Sequence, residues 1–158
     1  MVKKVLLVIH NLNIGGAQKS LISFLKCLES PEIMGDYSID LIALNPTGDF
    51  ITELPSTVKL LKTDNTLRWM GTRFSFRLLN EAFSWRALYG EGCWVIRKFL
   101  GLFCSRWDTP QKVWKCWQHL VTSNSDSYDV AISYMDGISN YYVIDKVNAR
   151  KKNTMGTF

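Results

Sequence analysis

The chain has 158 residues, 47% hydrophobic and 21% charged, the composition of one globular domain with a sizeable core. No window approaches the roughly 18 apolar residues of a membrane span, and the apolar run of about five residues after Lys3-Lys4 is too short for a signal peptide. The net charge of +5 is unevenly placed: residues 66–121 hold nine Lys/Arg against Glu81, Glu91 and Asp108, a balance of +6, and also contain all six tryptophans, so the rest of the chain sums to −1.

Val5-Leu6-Leu7-Val8-Ile9 lacks polar alternation, which suits a strand covered on both faces, as in parallel sheets. A polar loop ending in Gly15-Gly16 follows. From Ala17 onward Leu21, Ile22, Phe24, Leu25 and Leu28 recur at helical intervals, a stripe that faces a core. Pro31 stops that pattern. YSIDLIAL over 37–44 reads as the second strand, Asn45-Pro46-Thr47-Gly48 as a turn, 49–54 as a single helical turn before Pro55, and TVKLLK over 57–62 as a short third strand.

Residues 66–121 change character. Glycines 71, 90, 92 and 101 divide this segment into three helices, the last of which opens at Pro110 behind Asp108 or Thr109 as cap. Val113, Trp114, Trp117, Leu120 and Val121 share one face of it, with His119 on the surface. Val130 to Tyr134 reads as a fourth strand, Met135-Asp136-Gly137 as a turn, and 138–147 as a helix. A fifth strand is due to begin at Ala149-Arg150-Lys151-Lys152, but 153–158 carries no strand pattern.

The chemistry lies at two loops that follow strands. A double glycine before a helix brings free N–H groups close to a ligand, where the helix dipole favours an anion; a plain turn is the bland alternative. Ligands of open parallel sheets bind beyond the carboxyl ends of strands, so Gly15, Gly16 and Ala17 pair naturally with the loop holding Asp136 and Asn140 if strands one and four are neighbours. Asp136 can hold a sugar hydroxyl, act as a base, or cap the helix behind it. His10, directly after the first strand, can face the same crevice or hold the structure together. The loop is not a dinucleotide fingerprint: GxGxxG is absent, and Asp40, at the right distance, lies inside a strand among apolar neighbours. No P-loop, catalytic triad or carboxylate pair can be assembled. Cys27, Cys93, Cys104 and Cys116 show no CxxC spacing and no histidine partner, which points to reduced, buried cytosolic thiols, no metal and no resident cofactor.

The basic-aromatic segment admits three readings. It can be plain helix packing. It can dock on an anionic membrane surface, with Arg97, Lys98, Arg106 and Trp107 as contacts. It can bind nucleic acid, which no motif supports.

VLLVIHNLNIGGAQKSLISFLKCL resembles the N-terminal half of family-four glycosyltransferases, which open with a strand, a GGA[EQ] turn and a leucine-rich helix. The likeness continues through the second strand, Gly48-Asp49-Phe50, Glu53-Leu54-Pro55 and Tyr128 to Ser133, and leaves out the middle segment. It implies a GT-B enzyme of two Rossmann-like domains, of which this chain is the acceptor side. In that family a nucleotide-diphosphate sugar donor and a glycan or lipid-linked acceptor meet in the cleft. Gly15 and Gly16 match the turn, whereas Gln18 stands where many members have Glu. The family places a histidine after the fifth strand. One reverse translation of 151–158, AAA AAA AAT ACT ATG GGT ACA TTC, yields a hydrophobic strand ending in histidine once a single adenine is removed. The chain is therefore expected to be a frameshifted, truncated glycosyltransferase, inactive alone. The expected fold is α/β: a Rossmann-like three-layer domain over 1–158 with a mostly parallel sheet in the order 3-2-1-4-5 and a helical basic-aromatic insert. The expected location is cytoplasmic, peripheral on the inner membrane face where the insert docks.

Overall fold

A computed structural model describes residues 2–30, 35–71 and 110–154. Five strands, β1 (Lys3–Ile9), β2 (Tyr37–Ala43), β3 (Val58–Leu60), β4 (Ser127–Ser133) and β5 (Asn148–Thr154), form one sheet in the order β3-β2-β1-β4-β5. Every strand pair in it is parallel. This is the order expected from the sequence, with all strands parallel rather than most.

Helices cover both faces. Helix α1 (Gly16–Leu28) lies on the face where Leu7, Ile9, Leu41 and Ala43 meet Leu21 and Leu25. Helices α2 (Asn65–Gly71), α3 (Pro110–Trp117) and α4 (Ile138–Lys146) supply Leu67, Trp114, Tyr142 and Val143 to the opposite face, against Leu6, Val8 and Ile42. Alternate residues of β1 thus enter two separate cores, and for that reason the strand shows no polar alternation.

Trp114 and Tyr142 lock α3 onto α4. Their rings meet edge to face at 6.5 Å between centroids, and the buried indole N–H donates to Asp145 Oδ2 at 2.6 Å. A buried indole needs such an acceptor. Trp117 and Val121 are buried on the same face and His119 is exposed, as the spacing predicts. The Val113 side chain and residues 72–109, where the sequence places the middle of the insert, lie outside the described residues.

Three expectations need correction. Phe24 leaves the core stripe of α1 and is 41% exposed, because Gln18, Leu21, Ile22 and Leu25 already fill the buried face. Cys27 is exposed rather than buried; the other three thiols lie outside the described residues. The fifth strand is regular as far as Thr154 and pairs in register with β4 from Ser127↔Asn148 to Ser133↔Thr154. An edge strand is held by backbone hydrogen bonds and can leave its side chains in water, so NARKKNT forms a strand with no apolar alternation. Residues 155–158 lie outside the described residues.

Asp40 is buried within β2. Its Oδ2 accepts from the Tyr128 hydroxyl at 3.0 Å and lies 3.7 Å from Lys4 Nζ. The same ammonium reaches Asp126 at 3.3 Å and sits 4.7 Å from the Tyr128 ring centroid. Burial and the bond to Asp40 push the Tyr128 phenol well above its ordinary value, so it stays protonated and donates. Asp40 is thereby committed to the core and unavailable to a ribose, as its strand position implied.

Candidate functional site

Strands β1 and β4 are adjacent, and their connections leave on opposite faces, α1 on one and α4 on the other. This is the switch point where a doubly wound sheet opens a crevice at its carboxyl end. The loop after β1 and the loop after β4 therefore become neighbours although more than a hundred residues separate them. Tyr134 N donates to Val8 O at 2.8 Å, extending the β1–β4 ladder. Gln18 Nε2 donates to Asn11 Oδ1 at 3.0 Å and approaches Met135 Sδ at 3.6 Å. Ser20 Oγ and Tyr134 Oη share a hydrogen bond of 3.1 Å. His10 is half-buried just past β1 and is engaged within the protein.

The two glycines have different reasons to be there, and neither has the positive φ of a strained turn. Gly15 caps α1 in ordinary extended backbone, φ −172° and ψ 164°. Its missing Cβ makes room for Gln18: a Cβ at Gly15 would stand 2.5 Å from Gln18 Oε1, on a side chain already tied to Asn11. Gly16 is the first residue of the helix, and a Cβ there would meet nothing within 4 Å. Gly16 and Ala17 present backbone N–H groups with no intrahelical acceptor, as the first amides of any helix do. Open space beside Gly16 leaves those groups approachable.

Gly15→Ala is expected to cost about 1 kcal/mol by displacing the Gln18 amide from Asn11. Gly16→Ala is expected to be neutral, or to stabilise by up to about 0.5 kcal/mol through reduced chain entropy. Chemical denaturation of the two variants checks this order; equal losses would refute it.

Asp136 and Asn140 are brought to the same crevice, but they bind each other. Asp136 Oδ1 accepts from Gly137 N at 2.8 Å and from Asn140 Nδ2 at 2.7 Å. Gly137 then turns the chain with φ 97° into α4, and Asn140 N donates to Gly137 O at 3.1 Å. Holding the helix start is thus the role that Asp136 visibly performs. Ser139 Oγ and Asn140 Oδ1, both buried, have no hydrogen-bond partner among the described residues. The loop that carries Gly15 is itself seated by Gly48: Leu12 N donates to Thr47 O at 3.0 Å, and Phe50 N donates to Leu12 O at 3.1 Å. Sequence reasoning put Gly48 in a turn and did not connect it to the site. The Asn-Pro-Thr-Gly run marked a turn, but nothing in it says what the turn packs against.

Arg97, Lys98, Arg106 and Trp107, the membrane contacts expected from the sequence, lie outside the described residues. Among the described residues no group of His, Cys, Asp and Glu is arranged to hold a metal ion, and no helix is long and apolar enough to cross a membrane. No protein-family model matches the chain, and no curated protein matches it.

Proposed function

We propose that this chain is the acceptor-side Rossmann-like domain of a glycosyltransferase, which moves a sugar from a nucleotide-diphosphate donor to a glycan or lipid-linked acceptor. One observation carries the reading: the start of α1, with open space beside Gly16, stands at the β1–β4 switch point against the loop that holds Asp136 and Asn140. In glycosyl transfer, negative charge builds on the departing diphosphate. Helix-start amides at Gly16 and Ala17 supply fixed positive dipoles where that charge develops. The paired Asp136 and Asn140 offer both acceptor and donor atoms to acceptor hydroxyls across the crevice. A second Rossmann-like domain would bind the donor, and one sheet alone forms one wall of such a cleft. The charge of residues 66–121, with all six tryptophans, would hold the enzyme at an anionic inner membrane face, where lipid-linked acceptors reside.

The test is a titration of the 158-residue chain with UDP-glucose, and with GDP-mannose in parallel, followed by amide NMR. Shifts are expected at residues 15–17 and 136–140, with a Kd on the order of millimolar. Gly16→Leu should abolish them while leaving the melting temperature unchanged. Radiolabelled donor should show no transfer by this one-sheet chain. Shifts that spare both loops, or that survive Gly16→Leu, would sink the reading.

A further inference from the structure

The turn between β4 and α4 sets a carboxyl group beside a backbone nitrogen. Asp136-Gly137 is the one Asp-Gly step in the 158 residues, and the sequence has no Asn-Gly step. Asp136 is exposed, and its Oδ1 lies 2.8 Å from the Gly137 nitrogen. The carboxyl is therefore folded back over the peptide bond that follows it, and Asn140 Nδ2, at 2.7 Å, holds it there. An electrophile and a nucleophile fixed side by side in one chain react without the entropy cost of meeting. Gly137 also leaves its nitrogen unscreened. It has no Cβ, it sits at φ 97°, and a Cβ added there would meet nothing within 4 Å, so the space around the turn is open to water.

The next smallest residue to follow an aspartate is Ser127, after Asp126. There the carboxylate is drawn to Lys4 Nζ at 3.3 Å, and Ser127 is already paired within β4. Asp136 alone combines an exposed carboxyl, a glycine neighbour and a fixed contact with that neighbour's nitrogen among the described residues.

We infer that Asp136 is a modification site, at which the folded chain rearranges its own backbone through a cyclic imide with Gly137. In the first step the Gly137 nitrogen bonds to Asp136 Cγ and gives up its proton, and the hydroxyl of the protonated carboxyl leaves as water. In the second step water opens the ring. Attack at Cγ restores aspartate. Attack at the main-chain carbonyl carbon of Asp136 leaves the chain running through Cβ and Cγ, one methylene longer, with the free carboxylate on Cα. One water leaves and one returns, so the product has the mass of the parent. Its displaced carboxylate no longer serves Gly137 N and Asn140 Nδ2 together, and α4 loses the contact that holds its start.

The experiment is to age the full chain at physiological temperature, with a urea-unfolded sample beside it, and to map peptides by electron-transfer fragmentation, which distinguishes β-linked from α-linked aspartate. β-Linked Asp136 should accumulate in the folded chain at a rate within about threefold of the unfolded one, ahead of Asp126 and every other aspartate. The carboxyl must be protonated to lose water, so the folded chain should react about three- to tenfold faster at about pH 5 than at about pH 8. The melting temperature of the aged protein should fall by about 2–4 °C, as when a helix-start contact is lost. Asp136→Glu keeps a carboxylate but requires a larger ring, and it should show neither the product nor the fall. The inference is overturned by any of four results: Asp136 unchanged in the folded chain while the unfolded chain rearranges, rearrangement first at another aspartate, a rate indifferent to pH, or an equal fall in melting temperature on ageing Asp136→Glu. No sugar donor or acceptor enters the test, so its outcome is independent of the glycosyltransferase reading.

Discussion

Gly48→Ala is expected to destabilise the domain by about 3–5 kcal/mol, a large share of the 5–15 kcal/mol that holds a typical domain together. Two effects add. Gly48 sits at φ 128°, ψ 163°, a backbone region that side chains rarely enter. A Cβ there would also lie 2.1 Å from the carbonyl carbon of Leu12 and 2.3 Å from Asn13 N. Those are backbone atoms, and they are fixed by the bonds of Leu12 to Thr47 and Phe50, so they cannot swing aside as a side-chain tip would. Leu12 is fully buried, which ties the loop to the core. The melting temperature should fall by roughly 10 °C or more, as expected for a domain of this size. The loop that carries Gly15 should loosen too, so nucleotide-sugar shifts at residues 15–17 should weaken even at temperatures where the variant is folded. A Gly48→Ala protein that melts within a degree or two of the parent would show that the 45–50 turn does not hold the glycine loop.

Asp64→Ala is expected to cost about 2–4 kcal/mol, because one carboxylate joins the two ends of the insert. Asp64 Oδ1 accepts from Thr66 N at 3.0 Å, capping α2, and Leu67 N donates to Asp64 O at 3.0 Å. Asp64 Oδ2 accepts from Thr122 N at 3.2 Å and Thr122 Oγ1 at 3.0 Å, gripping the chain as it returns. Alanine removes the cap and leaves both exposed Thr122 donors to water. Asp64→Asn keeps one acceptor oxygen and should lose less. A double-mutant cycle with Thr122→Val isolates the grip from the cap: a coupling near zero would separate the two ends.

The same carboxylate sets a pH signature. Burial pushes the Asp64 carboxyl up, but hydrogen bonds from Thr66 and Thr122 outweigh it and hold the group below its ordinary value of 3.8. A folded value below the unfolded one means the unfolded chain takes up the proton first. The stabilisation is therefore fully present above the unfolded value, and it is lost as pH falls through the depressed folded one. Wild type should lose stability more steeply than Asp64→Asn below about pH 4. Parallel slopes would remove Asp64 from the acid response. Tyr142 behaves oppositely: burial first, then the nearby Asp64 charge, push its phenol up to about 12, so it stays neutral throughout this range.

The order of elements was legible in the chain because each one announces itself locally. The run from Val5 to Ile9 lacks alternation because β1 is covered twice, and the parallel order follows from strand, helix and strand in succession. The double glycine lies beside the β1–β4 switch point, where its place after the first strand puts it. A sequence shows that side chains are missing but not what occupies their place, which is Gln18 at Gly15 and open space at Gly16. Asp136 could be read as cap or ligand group, and only its distances to Gly137 and Asn140 show it holding the helix start.

By itself, then, the sequence determined the α/β class, the strand order, the helix faces at Leu21, Leu25, Trp114 and Trp117, and the concentration of basic charge and tryptophan in residues 66–121. These depend on periodicity and composition, which are local. The tertiary structure alone decided that Gly48 seats the loop of Gly15, that Asp64 joins residues 66 and 122, that NARKKNT is a paired edge strand, and that Cys27 faces solvent. Each of those depends on which backbone lies across from a residue, and that is settled only when distant segments pack.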